Sequence, residues 1–196
     1  MTGRRVVLLS ASVILIGVLV WAVGGSLDRI GDAPPESPVA VAEPAMSSEV
    51  PRIAATLFFA STNGLNLVPV LQEVVLAKGL VPQGRAILTA QLQSPPPPYG
   101  SVIPEGTTLR AFYVTERGDA FVDLSFETDA RHIGGTSAEL LAVNAIVHAV
   151  TANLTTIQRV QILIDGREAD TLAGHVDLRR PLEPDMSLVR RASNAQ

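Results

Sequence analysis

From Val6 to Gly25 the chain carries no charged residue, directly after Arg4 and Arg5. No other feature limits its fold so strongly. An α-helix of about 20 residues, rising about 1.5 Å per residue, spans roughly 30 Å, the thickness of the hydrocarbon layer. A secretory signal has a shorter apolar stretch, roughly 7 to 15 residues. Trp21 stands near the far end, where an aromatic ring suits the membrane interface. The paired arginines precede the span, so the positive-inside rule keeps Met1 in the cytoplasm and exports everything after Gly25. Residues 1–25 therefore read as a transmembrane signal anchor. The competing reading is a cleaved signal peptide, with small residues at Ala22-Val23-Gly24 for the peptidase. Either reading delivers the remainder outside the cytoplasmic membrane, as a single-pass protein with its C-terminal part in the periplasm or at the cell exterior.

Residues 26–52 hold Pro34, Pro35, Pro38, Pro44 and Pro51 and few large apolar side chains. Such a stretch buries too little to offset its ordering entropy, and proline favours extended geometry. It reads as a spacer. Residues 53–184 are left for one domain, large enough to bury a core without metal or disulfide. The chain has no cysteine, which excludes disulfides, thiolate catalysis and cysteine-ligated metal. A net charge of -4, with aromatics at 4%, argues against a nucleic-acid surface. No nucleic acid, metal or cofactor is expected.

Within the domain, apolar β-forming runs alternate with helical ones. "IAATLFFA" and "LNLVPVLQEVVL" flank Asn63-Gly64, a hairpin signal because both residues tolerate positive φ. Pro69 lacks a backbone donor, so the second strand sits at an edge or carries a bulge. "VPQGRAILTAQLQS" reads as a helix that stops before Pro95–Pro98. "TLRAFYVTE" and "DAFVDLS" form a second strand pair around Gly118, whose turn accounts for the Arg117-Gly118-Asp119 tripeptide. Thr136 and Glu139 stand as a capping box, in which the hydroxyl bonds the N3 amide and the carboxylate reaches back to the cap amide. Ala138, Leu141, Ala142, Ala145, Ile146, Ala149 and Val150 then follow at i, i+3, i+4 spacing, giving an amphipathic helix with an alanine-rich buried face. His148 is expected at its boundary or surface. "IQRVQILIDG" reads as a central strand ending in an Asp165-Gly166 turn, and residues 185–196 as a flexible tail. The order β-β-α-β-β-α-β implies an α+β two-layer sandwich: one mainly antiparallel sheet with two helices, preceded by one transmembrane helix.

Four blocks in order carry a family resemblance: "TLFFASTNGLNLVPVLQEV", "VIPEGTTLRAFYVTERGDAFVDLSFE", "GGTSAELLAVNAIVHAVTAN" and "VQILIDGREADTLAGHVDLRRPL". Together they resemble the GerMN domain family, found in the spore germination and sporulation protein GerM and in LpqB-type lipoproteins. The resemblance spans about Ala54 to Leu182. It implies an extracytoplasmic interaction or assembly module without catalysis, with a link to sporulation or germination. GerM-like proteins carry two such domains and often a lipid-attachment cysteine; this chain has room for one domain and lacks the cysteine.

The residue types of a hydrolase are present in Ser125, His132, His175 and Asp123. None has nucleophile-elbow or metal-ligand spacing, so an enzyme is not expected. Asp123 and Ser125 read as strand-end turn or cap residues, and His175 as a hydrogen bond that fixes the closing loop. The expected function is a membrane-anchored binding or assembly module for envelope proteins, held at the membrane by residues 6–25. The candidate interaction edge is Leu65, Asn66, Leu67, Val68 and Val70, through strand addition. Alternatives are a peptidoglycan-associated or hydrolase-accessory domain, or a small-molecule sensor with a concave apolar pocket.

Overall fold

The computed structural model describes residues 50–127 and 135–190. The expected membrane span, most of the proline-rich spacer, His132 and residues 191–196 lie outside them. Among the described residues no helix is long and apolar enough to cross a membrane.

The domain is α+β. Strands β1 (Arg52–Ala60) and β2 (Leu67–Val75) form an antiparallel hairpin, followed by helix α1 (Leu80–Gln91). Strands β3 (Thr108–Val114) and β4 (Asp119–Ser125) form a second hairpin, followed by helix α2 (Gly135–Asn153), β5 (Arg159–Ile164) and the two-residue β6 (Arg167–Glu168). Instead of the one mainly antiparallel sheet that was expected there are two sheets, β1-β2 and β3-β4-β5-β6; the pairings are mainly antiparallel, with β4 parallel to β5. The physical reason is the crossover: the chain leaves β4, climbs α2 and returns to lie beside β4 in the same direction. The hairpin turns follow their sequence signals. Gly64 and Gly118 adopt φ of 69° and 82°. Asp165 and Gly166, at 53° and 78°, make the two-residue turn between β5 and β6.

One apolar core joins both sheets and both helices. Gly84 of α1 lies so close to Phe112 of β3 that an added Cβ would stand 2.2 Å from the ring. The glycine inside a helical pattern thus permits helix and sheet to approach. Helix α2 departs from the expected one-sided pattern: Leu141 to Val150 are buried without a break. The covering element is the segment from Asp170 to Arg190, which crosses the molecule as a strap. It pairs with β5 at Val160–Leu182 and ends beside β2, where Val189 bridges Leu67. The flexible tail expected from residue 185 is therefore corrected for 185–190. These residues form a short 3-10 turn, Met186–Leu188, and the Arg190 N–H donates to the Leu67 carbonyl at 2.8 Å.

Candidate functional site

Polar residues inside an apolar helix need partners, since an unpaired buried polar group costs about 1–3 kcal/mol. In α2 each of them holds the backbone of another element. Glu139 is fully buried (0% exposed). Its Oε1 accepts the N–H groups of Leu172, Ala173 and Val176 at 3.0, 2.8 and 3.2 Å. Its Oε2 accepts the His175 N–H at 2.9 Å and lies 2.9 Å from His175 Nδ1. Burial pushes the carboxyl pKa up, but the amides of Ala173, Val176 and His175 and the imidazole outweigh it and hold it below the usual glutamate value. The capping-box role expected of Glu139 is corrected: its carboxylate organises the start of the strap. His175, half exposed on its side chain, does hold this loop.

His148 is 2% exposed, not at the surface as expected. It stacks on Phe58 with ring centroids 4.9 Å apart, and Nε2 lies 3.0 Å from the Asp185 carbonyl. Because a carbonyl only accepts, Nε2 carries the proton. Burial lowers the His148 pKa, and the Asp185 carbonyl and carboxylate oppose that only in part. Asn144 Oδ1 accepts the Asp185 N–H at 3.4 Å. A concavity of about 560 Å³ opens beside His148, walled by Phe58, Ile157, Glu183 and Met186.

Among the described residues, Asp123, Ser125 and His175 do not converge. Asp123 and Ser125 belong to β4 itself. Asp123 Oδ1 accepts the Gly166 N–H at 2.8 Å, and Ser125 Oγ donates to Asp165 Oδ1 at 2.7 Å. Arg110, the extra residue where the β3–β4 register shifts, reaches Asp123 and Asp165 at 3.6 and 3.7 Å. The group pins the β5–β6 turn onto β4, while His175 is engaged with Glu139. No cluster of metal-ligating residues occurs among the described residues.

Strand edges remain. In an antiparallel pair alternate residues direct N–H and C=O toward the neighbour and away from it. On β1 the outward residues are closed from Thr56 to Ala60. Asn153 of α2 takes the Thr56 N–H and C=O through Oδ1 and Nδ2 at 2.8 and 2.7 Å. Gln91 of α1 does the same for Phe58, both bonds at 2.8 Å. Gly100 exchanges both bonds with Ala60. The two carboxamides imitate a strand and close that stretch of the flank.

On β2 the outward residues are Leu67, Pro69, Leu71, Glu73 and Val75, as the Arg190–Leu67 bond fixes the alternation. The strap occupies Leu67, and Gln83 Nε2 occupies the Val75 carbonyl at 3.2 Å. Pro69 faces its missing N–H outward, so β2 is the edge strand that the proline predicted. Among the described residues none bonds the outward N–H or C=O of Leu71 or Glu73. Leu71 is 72% exposed, and Val75, Leu76, Leu80 and Val81 continue an exposed apolar run into the first turn of α1. Of the five residues expected at the edge, Leu65 and Asn66 lie in the hairpin loop, Leu67 is taken by the strap, and Val68 and Val70 direct their backbone at Phe59 and Leu57. The open edge thus lies at Leu71–Glu73, a few residues further along. Sequence pattern alone could mark the edge through Pro69, but not the parity, which needs the register with β1.

The profile of the Germane family, described as sporulation and spore germination, matches residues 56–170. The chain belongs to the Germane family. The likeness to GerMN domains read from the four sequence blocks agrees with this. Among solved structures, the Germane chain is similar to the tandem GerMN domains of the sporulation protein GerM from Bacillus subtilis. The identity there is 16% and the TM-score 0.51, over 69% of this chain and 46% of that one. It is also similar to the first GerMN domain of the same protein, at 18% identity and TM-score 0.46, over 68% and 96% of the two chains. A protein described as a lipoprotein from Clostridium perfringens gives 21% and 0.47, over 69% and 89%. The tandem structure supports the fold, and this chain spans under half of its length. No curated protein sequence matches the chain.

Proposed function

We propose that this Germane protein is a membrane-anchored, extracytoplasmic assembly module of the cell envelope, with β2 as the edge to which an extended strand of a further polypeptide chain adds. The observation that carries the binding reading is the open, apolar-rimmed edge at Leu71 and Glu73, in a hairpin whose other flank is closed from Thr56 to Ala60. Strand addition draws affinity from main-chain hydrogen bonds and specificity from alternate side chains. The uncharged run from Val6 to Gly25 supports the anchor, and a tether raises the local concentration of the domain at the membrane. The family's description supports a role in sporulation- or germination-type envelope complexes.

The test uses proline at an outward position. Glu73→Pro removes an N–H that points away from β1, so the hairpin ladder keeps its bonds. Crosslinking of the full chain in intact cells should lose the edge-dependent product with Glu73→Pro and keep it with Glu73→Ala. Crosslinking that is indifferent to Glu73→Pro would refute strand addition at β2. Protease added to spheroplasts should digest the domain; a protected domain would refute export.

A further inference from the structure

The groups that β2 turns outward differ from residue to residue, and their pattern is self-complementary. Leu71 and Glu73 each offer an N–H and a carbonyl. Pro69 offers a carbonyl alone. Val75 offers an N–H alone, since Gln83 Nε2 holds its carbonyl. Place a second β2 antiparallel to the first, with the two-fold axis between the two Gln72 residues. Leu71 then faces Glu73 of the second copy, and the two exchange both bonds. Pro69 faces Val75 of the second copy. The Pro69 carbonyl receives the Val75 N–H, and the donor that proline lacks is the one the occupied Val75 carbonyl does not require.

Neighbouring registers lack this fit. With Leu71 on the axis, Pro69 faces Glu73, whose carbonyl loses its donor. With Glu73 on the axis, the Leu71 N–H meets the carbonyl already held by Gln83. At Leu67, where the strap lies, the opposing position would be residue 77, past the end of β2. Side chains agree with the register centred on Gln72. Leu71 (72% exposed) and Val75 (41%) stand on one strand face. Each meets an apolar residue of the second copy on the diagonal, within reach of long side chains. The two Glu73 carboxylates also lie diagonally, but exposed and screened by salt.

We propose that β2 pairs with β2 of a second copy about a two-fold axis at Gln72, joining two hairpins into one four-stranded sheet. This rests on the reading of β2 as the binding edge and names its occupant. A symmetric pairing of one patch with itself is the commonest form of homodimer.

The cysteine-free sequence makes the test direct. Gln72→Cys in the full chain places one thiol at the axis, in a non-hydrogen-bonded pair. There the Cα atoms lie about 4.5 Å apart, inside the range a disulfide spans, so mild oxidation should link the dimer at least about tenfold faster than with Leu65→Cys in the exposed loop. Adding Glu73→Pro should reduce the rate to that of Leu65→Cys, while adding Glu73→Ala should not. A Gln72→Cys rate no greater than that of Leu65→Cys, or one unchanged by Glu73→Pro, overturns self-pairing. If self-pairing fails but Glu73→Pro still abolishes crosslinking to a different envelope protein, the edge reading survives and its occupant is another chain. If Glu73→Pro alters neither product, both fall. A matching thermal unfolding midpoint for Glu73→Pro and Glu73→Ala shows that the proline spares the fold.

Discussion

Replacing Glu139 by glutamine tests the account of the strap, because it keeps the shape and removes the charge. The carboxylate collects four backbone N–H groups and lies against the His175 ring, with no exposure to solvent. Glutamine brings one acceptor oxygen. If it takes the place of Oε1, the bonds from Leu172, Ala173 and Val176 survive as neutral ones, and an NH2 group confronts the His175 N–H. Hydrogen bonds to a charged group contribute about 1.5–3 kcal/mol and neutral ones about 0.5–1.5, while removing a buried charge returns part of its desolvation cost. The net loss should be about 2–4 kcal/mol at pH 7, a sizeable share of the roughly 5–15 kcal/mol that holds a domain together. The unfolding midpoint should fall by about 10 °C in a thermal melt followed by circular dichroism. The pH dependence sharpens the test. The folded pKa of Glu139 lies below its unfolded value of about 4.3, so its charge contributes fully above that pH. The contribution is lost as pH falls from there through the folded pKa. Glutamine cannot lose it, so the gap between wild type and variant should narrow across that window. A variant within about 0.5 kcal/mol of wild type at pH 7, or a gap that stays constant from pH 7 to pH 3, would refute the role given to the carboxylate.

Other perturbations follow from the same geometry. Gly84→Ala gains about 1 kcal/mol of helix propensity but overpacks against Phe112 at a cost of about 1–3, so it should destabilise in urea melts. Phe112→Leu in the same chain should recover part of that loss. Gln91→Leu leaves the buried Phe58 N–H and C=O without partners and should cost about 2–4 kcal/mol, with faster hydrogen exchange at the Phe58 amide. Asp119→Ala removes an exposed bidentate pair with Arg159, at 2.8 and 3.2 Å, and should cost less than about 1 kcal/mol, less again in high salt.

Much of the fold was legible because its signals are local. Asn63-Gly64, Gly118 and Asp165-Gly166 place the turns, Pro69 marks an edge strand, and the apolar spacing of Leu141 to Val150 demands a helix. What stayed hidden depends on residues far apart in sequence. Thr136 and Glu139 have the spacing of a capping box, yet the groups that claim the carboxylate lie 33 to 37 residues downstream. His148 is buried because the strap crosses it, and nothing in "NAIVHAV" announces a strap. The parallel pairing of β4 with β5 was readable in principle from a strand-helix-strand order, but the expectation of one mainly antiparallel sheet did not place it. Gln91 and Asn153 look like ordinary helix-end residues until their carboxamides meet β1. The candidate edge was read along Leu65 to Val70, but direction of pairing alternates residue by residue, and only the β1 register shows which backbone groups of β2 face outward.

The carboxamide seal on β1 has a consequence for how large an assembly can grow. A molecule with two adhesive flanks can recruit neighbours without limit, and such chains run on into fibres. Asn153, Gln91 and Gly100 hold the outward groups of β1 from Thr56 to Ala60, so along that stretch the hairpin can grow from β2 alone. Unsealing either amide would open that stretch to a second neighbour.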